Sequence, residues 1–199
     1  MKIIPHTQGS SEWLLWRQHR ITATSASVIM GINPFKILCE LWDDMMGISA
    51  PISNDAMRRG QELEPIARDL FIQETGIHVT PICCEHDDEW WMAASLDGIS
   101  QDHKTICEIK CPKMKTHLEA IEGNIPQYYY AQCQHQLFVT GAERVFYTSY
   151  HPDCTRKNYY DIETKLAIVE IIPDSQFIDT LRIKSKYFYE EHICRMNRP

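Results

Sequence analysis

Two short apolar stretches joined by a polar turn do most to limit what this chain can fold into. Residues 92–99 read Met-Ala-Ala-Ser-Leu-Asp-Gly-Ile, residues 105–112 read Thr-Ile-Cys-Glu-Ile-Lys-Cys-Pro, and the turn occupies 100–104. Both stretches have strand length and strand composition, so the pair reads as a hairpin. Asp97 sits at the Gly98 bend, and Glu108 and Lys110 stand two apart on the second strand. Side chains at i and i+2 of a strand share a face, so Glu108 and Lys110 project together toward Asp97. Two carboxylates beside an ammonium suit metal-assisted phosphodiester hydrolysis: the acids hold Mg²⁺, and the amine sits where a water loses a proton or charge must be offset. The same spacing also describes a surface hairpin with a weak cross-strand ion pair, so the hairpin alone leaves both readings open.

The rest of the chain supplies helices and strands to surround that hairpin. Ser10 and Ser11 are good caps for a helix through Arg17, and residues 21–27 turn into a second short helix ending at Gly31. The hydroxyls and N–H groups at that turn, with Arg17 nearby, offer either an anion site or plain helix capping. Asn33 and Pro34 open a third helix running to Met46, with Pro34 in its first turn. A long helix runs from Asn54 or Asp55 to Thr75, where Gly76 stops it, with Leu63, Ile66, Ala67, Leu70 and Phe71 as its buried face. Glu62 and Glu64 lie roughly 200° apart on that wheel, so one of them alone can face inward, and periodicity does not choose.

Residues 78–84 are strand-like, residues 90–95 lead into the hairpin, and Pro112 ends it. A short helix over 116–122 precedes a longer one that starts at Pro126 and carries Tyr128, Tyr129, Tyr130, Gln132, Gln134 and Gln136, read as half-buried with a polar stripe. Strands follow at 144–150, 159–162 and 165–172, and Asp174 caps a final amphipathic helix. This order describes an α/β chain with helices on both faces of a sheet.

A length of 199 residues suits a single domain spanning 1–199. No apolar run reaches membrane-spanning length and the N-terminus lacks a signal pattern, so a cytoplasmic protein with no membrane partner is expected. The net charge of −7 argues against nonspecific coating of DNA, but not against a local phosphate contact. Basic residues are uneven, with Arg17, Arg20, Arg58, Arg59, Lys110, Lys113 and Lys115 in the first two-thirds. The eight cysteines form no C-x-x-C and several fall inside apolar patterns, which favours reduced, mostly buried thiols over a disulfide or a metal or iron–sulfur site.

Six short motifs then occur in order: Trp13-x-x-x-Arg17, Ile21-Thr22-Ala23, Arg59-Gly60-x-x-x-Glu64, Ser95-x-Asp97-Gly98, Glu108-x-Lys110-Cys111-Pro112 and Ala131-Gln132-x-Gln134. Together they resemble the phage lambda exonuclease and YqaJ-like viral recombinase branch of the PD-(D/E)xK nucleases, over roughly residues 10–150. The resemblance implies an α/β, restriction-endonuclease-like core with a central mixed β-sheet flanked by helices. It implies a 5′-to-3′ exonuclease that digests one strand of linear double-stranded DNA and leaves a 3′ single strand for a single-strand annealing protein. It further implies a homotrimer of phage or prophage origin in a bacterial host. By the same resemblance two Mg²⁺ ions, with Mn²⁺ as a substitute, fall to Glu64, Asp97, Glu108 and the backbone carbonyl of Ile109. Lys110 matches the catalytic lysine, and Gln132 and Tyr129 match polar positions near the metals. Arg17, Ser95 and Thr24 match a pocket for the 5′-phosphate; the lambda enzyme has a serine where Thr24 stands. Met57 falls where that enzyme places an apolar wedge between bases, and Leu96 replaces the proline of the literal motif without removing a ligand. Endonucleases of the same superfamily, iron–sulfur nucleases and a non-catalytic DNA-binding recombination module are the competing readings.

Overall fold

The computed structural model describes residues 1–49, 55–155 and 164–194. Among the described residues seven strands form one mixed sheet: β1 (Lys2–Ile4), β2 (Ile21–Thr22), β3 (Val79–Glu85), β4 (Met92–Ser100), β5 (Thr105–Lys110), β6 (Arg144–Tyr150) and β7 (Leu166–Ile171). Their spatial order is β1-β3-β4-β5-β6-β7, with β2 added beside β4. β5 and β6 run parallel, as do β2 and β4, and the remaining pairs are antiparallel.

One edge of β4 pairs with β3 along most of its length, whereas the other edge is shared. β2 takes its beginning, at Met92 and Ala93, and β5 takes its end, at Gly98 and Ile99. Residues 94–97 therefore face a notch between β2 and β5 with no strand opposite them among the described residues. Backbone groups left out of a ladder need other partners, and a functional site finds room here.

A β-bulge re-aims the chain at this notch. Thr80 pairs with Ile99 and Ile82 with Leu96, so β4 spends three steps where β3 spends two. The extra residue falls at Asp97–Gly98, opposite Pro81, which has no N–H to lose from the ladder. Leu96 and Ile99, three apart, consequently reach the same core, which strict alternation forbids. Gly98 is no left-handed bend, since its φ is not positive. It is required by crowding: a Cβ there would lie 2.7 Å from Val79 Cγ2 and 2.9 Å from Val79 Cβ.

Helices cover both faces. On one side α4 (Asp55–Thr75) lays Ala67 and Phe71 against Val79, Cys107, Ile109 and Tyr150. On the other, α6 (Gln127–Thr140) packs against the sheet, under a cover of α2 (Ala26–Met30) and α7 (Ser175–Phe188). α1 (Ser11–Arg17) and α7 start where the sequence places them, with Ser10 Oγ accepting from Trp13 N at 3.2 Å and Asp174 Oδ1 from Phe177 N at 3.0 Å. α5 (Met114–Ile121) lies against β6 and β7. Gly76 ends α4 with φ of 70°, the left-handed stop that favours glycine.

Four expectations change. The third helix, α3, covers Leu38–Met45 and does not begin at Pro34, because Asn33 Oδ1 accepts from Phe35 N and Lys36 N at 2.8 and 3.0 Å and holds a turn instead. Ile66 is exposed, not part of the buried face of α4. β1 is a strand the sequence pattern did not show. And α6 is buried nearly all round, its polar residues included. Asn54 and the strand expected at 159–162 lie outside the described residues. No helix among the described residues is long and apolar enough to cross a membrane.

The burial of α6 has a measurable consequence. His135 is wholly buried; its Nε2 lies 3.0 Å from the Ala93 carbonyl, and Nδ1 has no partner among the described residues. Burial pushes its pKa from 6.5 down to about 4. A neutral His135 thus supports the fold fully above the unfolded value of 6.5, and this support is lost as pH falls toward the folded value. Urea unfolding at pH 5 should show about 2 kcal/mol less stability than at pH 7.5 from this residue. His135→Gln, which keeps a donor for Ala93, should remove that share of the pH dependence; an unchanged slope refutes the assignment.

Candidate active site at the β4–β5 notch

Where β4 and β5 part, a side chain replaces the ladder. Asp97 Oδ2 accepts the backbone N–H of Ile109 at 2.8 Å, the bond another strand residue would have made. Asp97 thereby stands beside Glu108, each one residue beyond the Gly98–Cys107 pair at which the ladder stops. Burial, then the nearby Glu108, hold the Asp97 carboxyl well above the ordinary carboxylate range despite Lys110, and Glu64 adds to the effect.

Glu108 is 1% exposed and is held on several sides. Lys110 pairs with its Oε1, Gln132 Nε2 donates to the same oxygen at 2.5 Å, and Gln136 Nε2 donates to Oε2. Both amides come from α6, one helical turn apart, which is why that helix carries polar groups inward. Burial opposes the charge on Lys110, but Glu108 and Asp97 outweigh it and raise the ammonium above the usual lysine range. The Lys110 Nζ also lies over the Tyr129 ring, 5.4 Å from its centroid.

Glu64 enters from α4 and Glu62 points outward to solvent. Arg68, one turn on, pairs with Glu64 and donates from Nε to the Asp97 carbonyl at 2.7 Å, tying the helix to the bulge. Among the described residues, no three acid, histidine or cysteine side chains converge into a ready-formed metal cluster. Each carboxylate is instead drawn onto a cation or an N–H group. The donor chemistry nonetheless suits a hard divalent ion: the oxygens are carboxylate and carbonyl, and the charge on Asp97 is opposed by two further acids. The Gln136 carbonyl oxygen and the Tyr147 hydroxyl are buried with no partner among the described residues, as groups that meet a hydrated ion or ordered water can be.

A second cluster lies at the other end of the notch. Arg17 donates to Ser95 Oγ at 3.3 Å and to the hydroxyls of Thr22 and Thr24 at 3.4 Å each. Its guanidinium packs over the Trp13 ring at 4.3 Å, and no carboxylate pairs with it among the described residues. Burial brings its pKa down to about 10, so it remains a cation at neutral pH. Ser95 Oγ already accepts from Trp13 Nε1 at 2.8 Å and from Arg17, which leaves its own proton to donate elsewhere. A half-buried cation ringed by hydroxyls, with no carboxylate partner among the described residues, has the chemistry that suits an anion.

Thus Asp97, Glu108, Lys110, Gln132 and Tyr129 are brought together with the Ile109 backbone, Glu64 joins at the edge, and Arg17, Thr24 and Ser95 form the neighbouring pocket. Met57 is separate: it is 55% exposed, about two turns before Glu64 on α4 and roughly 10 Å away along the axis. Gln136, Arg68 and Thr22 take part without having been assigned a role from sequence. Gln136 was legible as one of three spaced amides; nothing in sequence marks Arg68. The seven cysteines whose side chains are described are free, and Cys39 alone among them is exposed.

The chain is similar to known proteins in sequence and in fold. Residues 12–143 match the YqaJ-like viral recombinase domain. The chain is 30% identical over 196 residues to Bacillus subtilis protein YqaJ, covering 94% of this chain and 58% of that one. It is also 30% identical over 154 residues to protein R354 of Acanthamoeba polyphaga mimivirus, covering 70% and 28%. The chain therefore spans 58% of the length of the first relative and 28% of the second. Among solved structures, an alkaline exonuclease from Laribacter hongkongensis superposes with a TM-score of 0.77 at 29% identity, covering 94% of both chains. The same exonuclease in complex with dAMP gives 0.77 at 30%. A phage-related exonuclease from Haemophilus somnus shares the fold, with a TM-score of 0.60 at 17% identity, covering 89% and 96%. The mixed sheet and its flanking helices are those of the PD-(D/E)xK fold, and by its match over residues 12–143 the chain belongs to the YqaJ-like viral recombinase domain family.

Proposed function

We propose that this protein is a divalent-metal-dependent deoxyribonuclease that removes nucleotides from the 5′ end of one strand of linear double-stranded DNA. The observation that carries this reading is the notch: Arg17 ringed by hydroxyls at Ser95, and a carboxylate–lysine cluster at Asp97, two residues further along one strand. Two strand residues span ~6.6 Å, comparable with the step between neighbouring phosphates on a nucleotide chain. A terminal 5′-phosphate held by Arg17, Ser95 and Thr24 therefore sets the next phosphodiester beside Asp97 and Glu108. The product of that cut is a 5′-mononucleotide. A complex of the Laribacter hongkongensis exonuclease with dAMP, a mononucleotide, supports the idea.

Glu64, Asp97, Glu108 and the Ile109 carbonyl would hold two Mg²⁺ ions, with Mn²⁺ as a substitute. When bound, the metal supplies a water of lowered pKa and a Lewis acid at the leaving oxygen. To hold a metal, Glu64 would exchange Arg68, and Glu108 would exchange Lys110, for the cation. Gln132 and Gln136 keep Glu108 aimed throughout. Lys110, released from its pairing with Glu108 but still close to Glu108 and Asp97, would orient the water and offset charge on the phosphate. The exposed 3′ strand would then pass to a single-strand annealing protein, and a homotrimer of phage or prophage origin acting in the host cytoplasm fits the family resemblance.

Digestion of linear duplex with defined ends, in Mg²⁺, Ca²⁺ or EDTA, tests the proposal. Mononucleotide release from the 5′ ends in Mg²⁺ alone is expected; cutting of closed circles, or release from 3′ ends, overturns it. The pocket has its own test. A 5′-phosphorylated end should be digested at least tenfold faster than a 5′-hydroxyl end, given about 1.5–3 kcal/mol for charge-assisted hydrogen bonds. Arg17→Gln should erase that preference. Equal rates for the parent protein on both ends refute the pocket.

A further inference from the structure

Aromatic rings lead outward from the catalytic cluster. From the Lys110 ammonium the path runs 5.4 Å to Tyr129, 4.4 Å from Tyr129 to Tyr128, and 5.5 Å from Tyr128 to Phe35, which meets it edge-on. Phe35 is 78% exposed, with exposed Ile32, Ile37 and Leu38 close by in the chain, and an exposed apolar patch of this kind marks a contact surface. Nor is it on a loose loop. Asn33 accepts from Phe35 N at 2.8 Å and from Lys36 N at 3.0 Å, and its own amide donates to Ser27 at 2.8 Å. On the far side, Ile37 N donates to Glu40 at 2.9 Å, and Lys36 pairs with Asp44. The chain thus fixes an exposed apolar ring at the outer end of a ring series whose inner end lies beside the proposed catalytic lysine.

Resting on the nuclease reading above, we propose that Phe35 and Tyr128, continuous with Tyr129, form a stacking platform for the unpaired nucleobases that flank the scissile phosphate. The cation takes phosphate and the ring faces take bases, as in channels that bind single strands. Every base has a π face, so such a platform tolerates any sequence, which a nuclease acting on successive nucleotides needs. Once the end of the duplex is opened, the first bases lose their stacking neighbours, and these rings replace them.

The test uses the full chain with 5′-phosphorylated duplexes carrying 2-aminopurine at the first to third nucleotide. Ca²⁺ replaces Mg²⁺ so that binding is read without turnover. The parent protein should quench the fluorescence; Phe35→Ala and Tyr128→Ala should each weaken binding about tenfold and lose the quenching. Tyr128→Phe, which keeps the ring, should restore both. Because Phe35 is exposed, its alanine variant is expected to fold even if that of Tyr128 does not. Unaltered affinity and quenching in Phe35→Ala overturns the platform, as does a change in sedimentation with DNA binding intact, which would make Phe35 a protein contact. If the parent protein quenches but does not hydrolyse DNA in Mg²⁺, the nuclease reading fails while the base-stacking surface stands.

Discussion

Asp97→Asn is expected to abolish DNA hydrolysis, with a loss on the order of 10³-fold or more, while the protein remains folded and still binds DNA in Ca²⁺. The magnitude reflects the removal of a charged metal ligand, since a loss of this size corresponds to about 4 kcal/mol at the transition state. The fold should tolerate the change because Asp97 does two separable jobs. Its oxygen caps the Ile109 N–H at 2.8 Å, which an asparagine carbonyl can also do. Its charge, by contrast, works against the fold, being opposed first by burial and then by Glu108, with Glu64 beside them. In EDTA the variant should therefore unfold at the same urea concentration as the parent or a higher one, a trade of stability against activity common at active sites. Hydrolysis within tenfold of the parent rate would remove Asp97 from the mechanism. A collapse of stability would show that its charge is structural.

Lys110→Ala should have the second largest effect, and on two measurements at once. Activity should fall by about 10²–10⁴-fold, the range for losing a group that handles a proton or charge in the transition state. Stability should fall too, because Glu108, 1% exposed, would keep its amide donors but lose its cation. Breaking a buried ion pair from one side costs about 3–5 kcal/mol. The double variant Glu108→Gln with Lys110→Ala removes both charges and should recover most of that stability without recovering hydrolysis. This cycle separates the structural pair from its catalytic use. If the single variant is as stable as the parent, the Glu108–Lys110 pair carries no structural weight; if it is as active, the lysine has no chemical role.

Much of the frame is visible in local chemistry. Ser10 and Asp174 cap helices because a short oxygen-bearing side chain reaches a free N–H two or three residues on. Gly76 stops a helix because it alone enters the left-handed region freely. Glu108 and Lys110 share a face by strand parity and nothing else. Local rules fail where the answer depends on a distant partner. The wheel of α4 places Glu62 and Glu64 on opposite edges of its stripe, and only Arg68 and the Asp97 carbonyl make Glu64 the inward one. The polarity of α6 hides its burial, because Gln132, Gln134, His135 and Gln136 are satisfied by Glu108, by the backbone of residues 172 and 174, and by Ala93. Asn33 beats the helical preference of Pro34 through its own side chain, a competition that periodicity does not register.

The linear chain by itself determined which chemistry is present: an acid, then an acid and a lysine two apart, with an arginine and hydroxyls upstream. Those identities follow from residue types and short spacings, which folding does not alter. That these groups meet was decided only by the tertiary structure. β2 and β5 divide one edge of β4 between them, and one extra residue opposite Pro81 turns Asp97 into the gap they leave. Pairing between strands far apart in sequence sets that gap, and hence the distance from the anion pocket to the acids. Strand parity within any one segment cannot encode it.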